Sequence, residues 1–149
     1  MANNYAKGTY VPVNPEKYVG TRPPIYRSSW ESTFMRFCDN HPSVVSWASE
    51  CVRIPYKNPF TGKIVNYIPD FLVTYEINGV RKAELIEIKP EAQAVMEVAR
   101  SQSEKAAVVL NMCKWQAARI WCSRMGATFR VLTERDLFNA ASSPRKRRK

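Results

Sequence analysis

The chain has 149 residues, 45% hydrophobic and 24% charged, the profile of one folded domain with a sizeable core. No stretch is apolar for long enough to span a membrane, and the opening MANNYAKGTY lacks an apolar signal core. A membrane anchor and a secretory leader are therefore not expected, and the protein is expected in a cytoplasm. A net charge of +10 draws a domain of this size to polyanions, nucleic acid above all.

Residues 1–28 read as an extended arm. Pro12, Pro15, Pro23 and Pro24 break any periodic element, while Tyr5, Tyr10, Tyr18 and Tyr26 supply packing anchors. Lys7, Lys17, Arg22 and Arg27 are available to phosphates. A first helix is expected from about Ser29 to Asn40, capped by Ser28 or Ser29. Its apolar stripe is Trp30, Phe34, Phe37 and Cys38, with Glu31 at the edge of that stripe. Three strands follow: Ser49 to Pro55, Ile64 to Tyr75 after the turn NPFTGK, and Arg81 to Lys89 after the turn Ile77-Asn78-Gly79. Pro90 ends the third. Helical residues run from about Gln93 to Leu110, Asn111 reads as an N-cap interrupting them, and a second helix spans Met112 to Met125. That helix presents Cys113, Ala117, Ile120 and Trp121 as its stripe and stops at Gly126. Thr128 to Leu132 is a strand, parallel to a neighbour because its connection is a helical crossover. Thr133 caps a short helix, Glu134 to Ala141, and residues 142–149 form a basic, flexible tail. The resulting fold class is α/β, with a mixed, mainly four-stranded sheet flanked by helices over residues 29–141.

Cysteine and histidine usage narrows the chemistry. Cys38, Cys51, Cys113 and Cys122 form no CxxC pair and read as reduced core residues. His41 is the only histidine, which argues against a Cys/His zinc site and a Ser-His-Asp triad.

The residues that suggest a site lie in YIPDFLVTYEINGVRKAELIEIKP, Tyr67 to Pro90. Glu87 and Lys89 are two apart on a strand and face the same way, opposite Ile86 and Ile88. Asp70 lies as far before the hairpin turn as Glu87 lies after it, so antiparallel pairing sets the two side by side. Two such carboxylates repel when both are ionised, and a bound divalent cation relieves the repulsion. All-oxygen ligands suit Mg²⁺ or Mn²⁺, and Glu31 is available as a third. A metal there would stabilise charge on a scissile phosphate, with Lys89 orienting water or neutralising the developing charge. A solvated sheet edge is the bland alternative. Outside this cluster, Glu50 opens the first strand near the site and reads as a strand-end surface acid, with assistance to metal or water binding as the alternative; Trp47, Trp115 and Trp121 read as core, with base stacking as the alternative. Lys114, Arg119 and Arg124 form a row on the polar side of the long helix, open to DNA or simply to water. The same holds for Gln102 and Lys105 on the helix after the motif, and for the sequence-independent affinity of the tail SPRKRRK.

IPDF…IEIKP resembles the motif of the PD-(D/E)xK nuclease superfamily, whose restriction-endonuclease-like core is an αβββαβ unit. The resemblance implies Asp70 and Glu87 as metal ligands, Lys89 as the catalytic lysine, and Glu31 as the first-helix carboxylate of many members. YRSSWESTFMRFCDNHPSVVSWASECVRIPY and KWQAARIWCSRMGATFRVLTERDL further resemble the head completion nucleases of T-even-like bacteriophages, and more weakly the transposon-end endonucleases. That likeness implies a Mg²⁺-dependent deoxyribonuclease processing DNA ends in head completion before tail joining. It also implies DNA and phage portal or head proteins as partners, and the host cytoplasm or the virion as location. Two other functions fit the sequence: a structural DNA- or portal-binding head protein, and a junction-resolving or transposition-type nuclease.

Overall fold

A computed structural model describes residues 7–137. The expected anchor Tyr5, the end of the last helix towards Ala141 and the basic tail lie outside the described residues. Helix α1 (Ser29–Asn40) begins where the Ser28 hydroxyl accepts the Glu31 amide at 3.2 Å, as the capping residues predict. Its buried face is Phe34, Met35, Cys38 and Asp39. The face is rotated from the expected stripe, and Phe37 is 40% exposed. The arm before it carries β1 (Gly8–Thr9) paired antiparallel with β2 (Ile25–Tyr26). It is fastened at Asp39, whose carboxylate accepts the Tyr10 hydroxyl at 2.7 Å and the backbone amides of Val13 and Asn14 at 2.7 and 2.9 Å.

The main sheet has four strands in the order β3-β6-β7-β8. Strand β3 (Val44–Ser49) precedes the expected first strand. Residues 54–57 instead form β4 (Ile54–Lys57), which pairs with β5 (Ile64–Tyr67) as a separate two-stranded ribbon. The ribbon tolerates Pro55 because each of its strands has a free edge, which a central sheet strand would not. The second expected strand is thereby cut at Ile68-Pro69-Asp70, and β6 (Phe71–Ile77) starts afresh in the sheet. The β6–β7 register is the expected one: Phe71 pairs with Ile86 and Ile77 with Val80 in β7 (Val80–Ile88). Asn78 and Gly79, at φ 54° and 77°, make the turn that such a hairpin favours. Strand β8 (Thr128–Leu132) runs parallel to β7, as the crossover predicts.

Between β7 and β8 the helices differ from expectation. A 3₁₀ turn (Glu91–Gln93) is followed by irregular chain, then by one helix, α2 (Gln102–Met125). A capping box formed by Ser101 and Glu104 opens it, and Gly126 closes it at φ 76°. Asn111 sits buried inside α2 rather than capping it, because its amide finds a partner, donating to the Gln93 carbonyl at 3.0 Å. The buried side chains of α2 are Val108, Asn111, Trp115, Ala118 and Cys122; Ile120 is 44% exposed.

The sheet separates two cores. Val73, Ile86, Ile88 and Leu132 pack with Phe34, Met35 and Cys38 of α1. Leu85 packs on the opposite face with Trp115, Ala118 and Cys122 of α2 and with Ile54, Tyr56 and Tyr67 of the ribbon. The mixed α/β class holds, in the order helix, three strands, helix, strand, with the ribbon inserted after the first strand. All four cysteines are free, but Cys51 is exposed rather than in the core. Among the described residues no helix is long and apolar enough to cross a membrane.

Candidate active site

Alternation along β7 sends Ile86 and Ile88 to the α1 core and Leu85 and Glu87 to the α2 side. Asp70, one residue before β6, continues the hairpin register opposite Glu87. Each carboxylate is held individually. Glu87, 5% exposed, accepts the Tyr67 hydroxyl on Oε1 at 2.8 Å, and Lys89 Nζ stands 3.7 Å from its Oε2. Asp70 accepts the Ile88 amide on Oδ2 at 2.8 Å. Burial raises the Asp70 pKa well above the usual carboxylate range, and the charges of Glu87 and Glu31 add to the rise. Burial also raises Glu87, against the pull of Lys89 and the Tyr67 hydrogen bond. Tyr67 is pushed up by burial and by the charge of Glu87, so at neutral pH it stays a hydrogen-bond donor.

Glu31 enters from the first turn of α1. Its Oε1 accepts the Arg27 amide at 3.0 Å. Burial raises its pKa, and the Arg27 hydrogen bond opposes that. With Ser28, Lys89, Pro90 and Gln93 it lines a cleft of about 300 Å³. Arg27, expected to face phosphates, makes a two-point ion pair with Glu50 at 3.0 and 3.2 Å. Glu50 itself sits at φ 51° and donates its amide to the Asp70 carbonyl at 2.9 Å. A non-glycine residue in that conformation is strained, and such strain gathers at functional sites. Glu50 is thus more than a strand-end acid, since its backbone fixes the turn that carries Asp70.

Lys114 of α2 reaches the site from the side opposite α1. Its Nζ lies 5.7 Å from the Tyr67 ring centre and 6.0 Å from that of Tyr56, within cation–π range. Burial lowers its pKa, the positive charge of Lys89 lowers it further, and Glu87 pulls the other way. Gln102 and Lys105 do not join it. They occupy the exposed first turn of α2, and Lys105 is about 14 Å along the axis from Lys114 on the opposite side of the helix. The sequence reading overlooked Tyr67. The sequence signal for it was an aromatic residue just before Ile-Pro-Asp, which becomes informative only once the ribbon is recognised as separate from the sheet.

The donors suit a hard divalent cation. They are all carboxylate oxygens, Asp70 Oδ1 accepts no hydrogen bond from the described residues, and the local negative charge is mutually repulsive. Among the described residues, however, no three His, Cys, Asp or Glu side chains form a metal-ligand cluster. Asp70 and Glu87 are neighbours, while Glu31 stands at the rim.

The mixed sheet with its flanking helices has the architecture of a nuclease-like core, and its neighbouring strands bring an acidic pair and a lysine together. Residues 41–134 match the TnsA-like endonuclease N-terminal family, and the chain belongs to that family. It is also 33% identical over 138 residues to the head completion nuclease of Enterobacteria phage T4, covering 85% of this chain and 90% of that protein. Asp70, Glu87, Lys89 and Lys114 fall inside the family match; Glu31 precedes it.

Proposed function

We propose that this protein is a metal-dependent DNA endonuclease of the PD-(D/E)xK type that processes DNA ends during phage head completion, before tail joining. One observation carries the chemistry: the hairpin register sets Asp70 beside Glu87, with the Lys89 ammonium 3.7 Å from the latter. The phage T4 relative, a head completion nuclease by name, supports the biological setting, in which portal or head proteins would be further partners.

Asp70 and Glu87 would hold Mg²⁺ or Mn²⁺, with Glu31 as an accessory carboxylate at the rim. The ion, when bound, supplies positive charge to the scissile phosphate and acidifies a water molecule. The protein's own groups do the rest. Tyr67 and the Ile88 amide fix the orientation of Glu87 and Asp70 before substrate arrives. Lys89 carries a charge that stabilises the anionic transition state, and its backbone amide is tied to the Leu132 carbonyl at 3.0 Å. Lys114, held against two tyrosine rings, adds a second positive charge on the side of Glu87.

Plasmid nicking with Mg²⁺ or Mn²⁺ tests the reading. Wild type cuts; Asp70→Ala and Lys89→Ala bind DNA and stay folded but do not cut. A wild type inert on every DNA form with either ion would leave a structural head protein. The TnsA-like match supports a second reading, cutting at junctions or transposon ends, for which preference for branched over linear DNA is the mark.

A further inference from the structure

The two-stranded ribbon of β4 and β5 has no role in closing the main sheet, yet it is mounted with care. Ile54, Tyr56 and Tyr67 on its inner face pack on Trp115, Ala118 and Cys122 of α2. Tyr67, the last residue of β5, is the residue that binds Glu87, so the ribbon springs directly from the catalytic cluster. Its far end is ordered: Asn58 Oδ1 accepts the amides of Phe60 and Thr61 at 2.8 and 3.3 Å, and Gly62 takes φ 75°. That turn holds Phe60 out with 60% of its surface exposed, and Ile64 beside it is 67% exposed.

The charge on this element is of one sign. Between Glu50 and Asp70 the chain has Arg53, Lys57 and Lys63 and no acidic residue. All three are exposed, and none is in an ion pair among the described residues. Three uncompensated cations along one short element complement the regular charge of a polyphosphate backbone.

We infer that the β4–β5 ribbon is a DNA-gripping arm of the nuclease, Arg53, Lys57 and Lys63 contacting duplex phosphates beside the cut and Phe60 making the apolar contact at its tip. This rests on the nuclease reading and adds how the substrate is held. From Tyr67 back to Lys63 the strand covers about 13 Å at ~3.3 Å per residue, which spans about four base-pair steps of ~3.4 Å. The grip therefore falls on the duplex flanking the scissile bond rather than on the bond itself.

The test is binding of a fluorescein-labelled duplex by anisotropy across a salt series in EDTA, with Mg²⁺ nicking and sizing chromatography on the same samples. Replacing Arg53, Lys57 and Lys63 together by Ala is expected to weaken binding by about tenfold or more and to reduce the log–log salt slope by about 2.7, ~0.9 for each lost phosphate contact. Phe60→Ala is expected to weaken binding several-fold with the slope unchanged. The substituted side chains are exposed, so melting temperature should hold; Lys57→Ala alone, expected to lower the slope by about 0.9, keeps the test decisive should the triple variant not fold. Ribbon variants that bind like wild type while wild type cuts would overturn the arm and leave the nuclease. Variants that bind DNA normally but change oligomeric state would overturn it in favour of a protein contact. A ribbon effect on binding in a wild type that never cuts would uphold the arm and sink the nuclease, and a wild type that neither binds nor cuts would sink both.

Discussion

Tyr67→Phe isolates one hydrogen bond on which the acidic pair depends. The hydroxyl donates to Glu87 Oε1 at 2.8 Å, and both residues are buried, at 4% and 5% exposure. The substitution keeps the ring that faces Lys114 and the packing on α2, so only the hydroxyl's own contacts are lost. A hydrogen bond to a charged group contributes about 1.5–3 kcal/mol, and its loss leaves a buried carboxylate oxygen without a donor. For a domain of this size each kcal/mol moves the midpoint by roughly 2–4 °C, so a drop of about 3–12 °C is expected. Differential scanning calorimetry in EDTA measures it without interference from a bound ion. The partner substitution Glu87→Gln completes a double-mutant cycle; coupling of about 1 kcal/mol or more is expected because the two groups touch. Nicking activity should fall as well, since an unanchored Glu87 no longer presents a fixed oxygen. A midpoint within 1 °C or so of wild type, with additive double-mutant behaviour, would refute the assignment of Tyr67 as the anchor of Glu87.

Three further outcomes follow from other parts of the molecule. Asp70→Asn should abolish cleavage yet raise stability in EDTA by about 1 kcal/mol, because it removes a buried charge from a like-charged cluster. Its folded-state pKa is raised, so the wild type recovers that deficit as pH falls through this pKa and loses it as pH rises; the gap between the two proteins should narrow in acid, as thermal melts at several pH values would show. Asp39 behaves oppositely: burial pushes its pKa up, but the hydrogen bonds from Tyr10, Val13 and Asn14 outweigh burial and hold it below the usual range. Its contribution is thus present above the unfolded-state pKa and lost as pH falls through the folded-state one, so Asp39→Asn should flatten the acid limb of the stability curve. Asn111→Leu should cost about 1–2 kcal/mol in chemical denaturation by releasing the Gln93 carbonyl.

What was legible in the sequence tracked local physics. The Asn78-Gly79 turn, the alternation of Glu87 and Lys89 against Ile86 and Ile88, and the Ser28 cap each depend on a few neighbouring residues, and with them the hairpin register and the acidic pair came out as expected. The structure departs from the sequence pattern where long-range pairing decides. The strand pattern of residues 64–75 is continuous in hydrophobicity, and only the partner of each half shows that one belongs to the ribbon and the other to the sheet. Asn111 looks like a cap until the Gln93 carbonyl is placed against it. Arg27 looks like a free phosphate ligand until Glu50 is found opposite it. Lys114 reads as one of a surface row, and nothing in its spacing distinguishes the lysine beside Tyr56 and Tyr67.

The parallel pairing of β7 with β8 bears on the order in which the sheet around the acidic pair is completed. On the side away from β6, the strand carrying Glu87 and the Lys89 amide just beyond it have their hydrogen-bond partners in residues 128–132. Translation delivers the N-terminal portion first. A nascent polypeptide therefore exposes its acids and lysine well before it has the neighbouring strand that holds them in place. The acidic pair and the lysine thus precede in the chain the strand that completes their sheet.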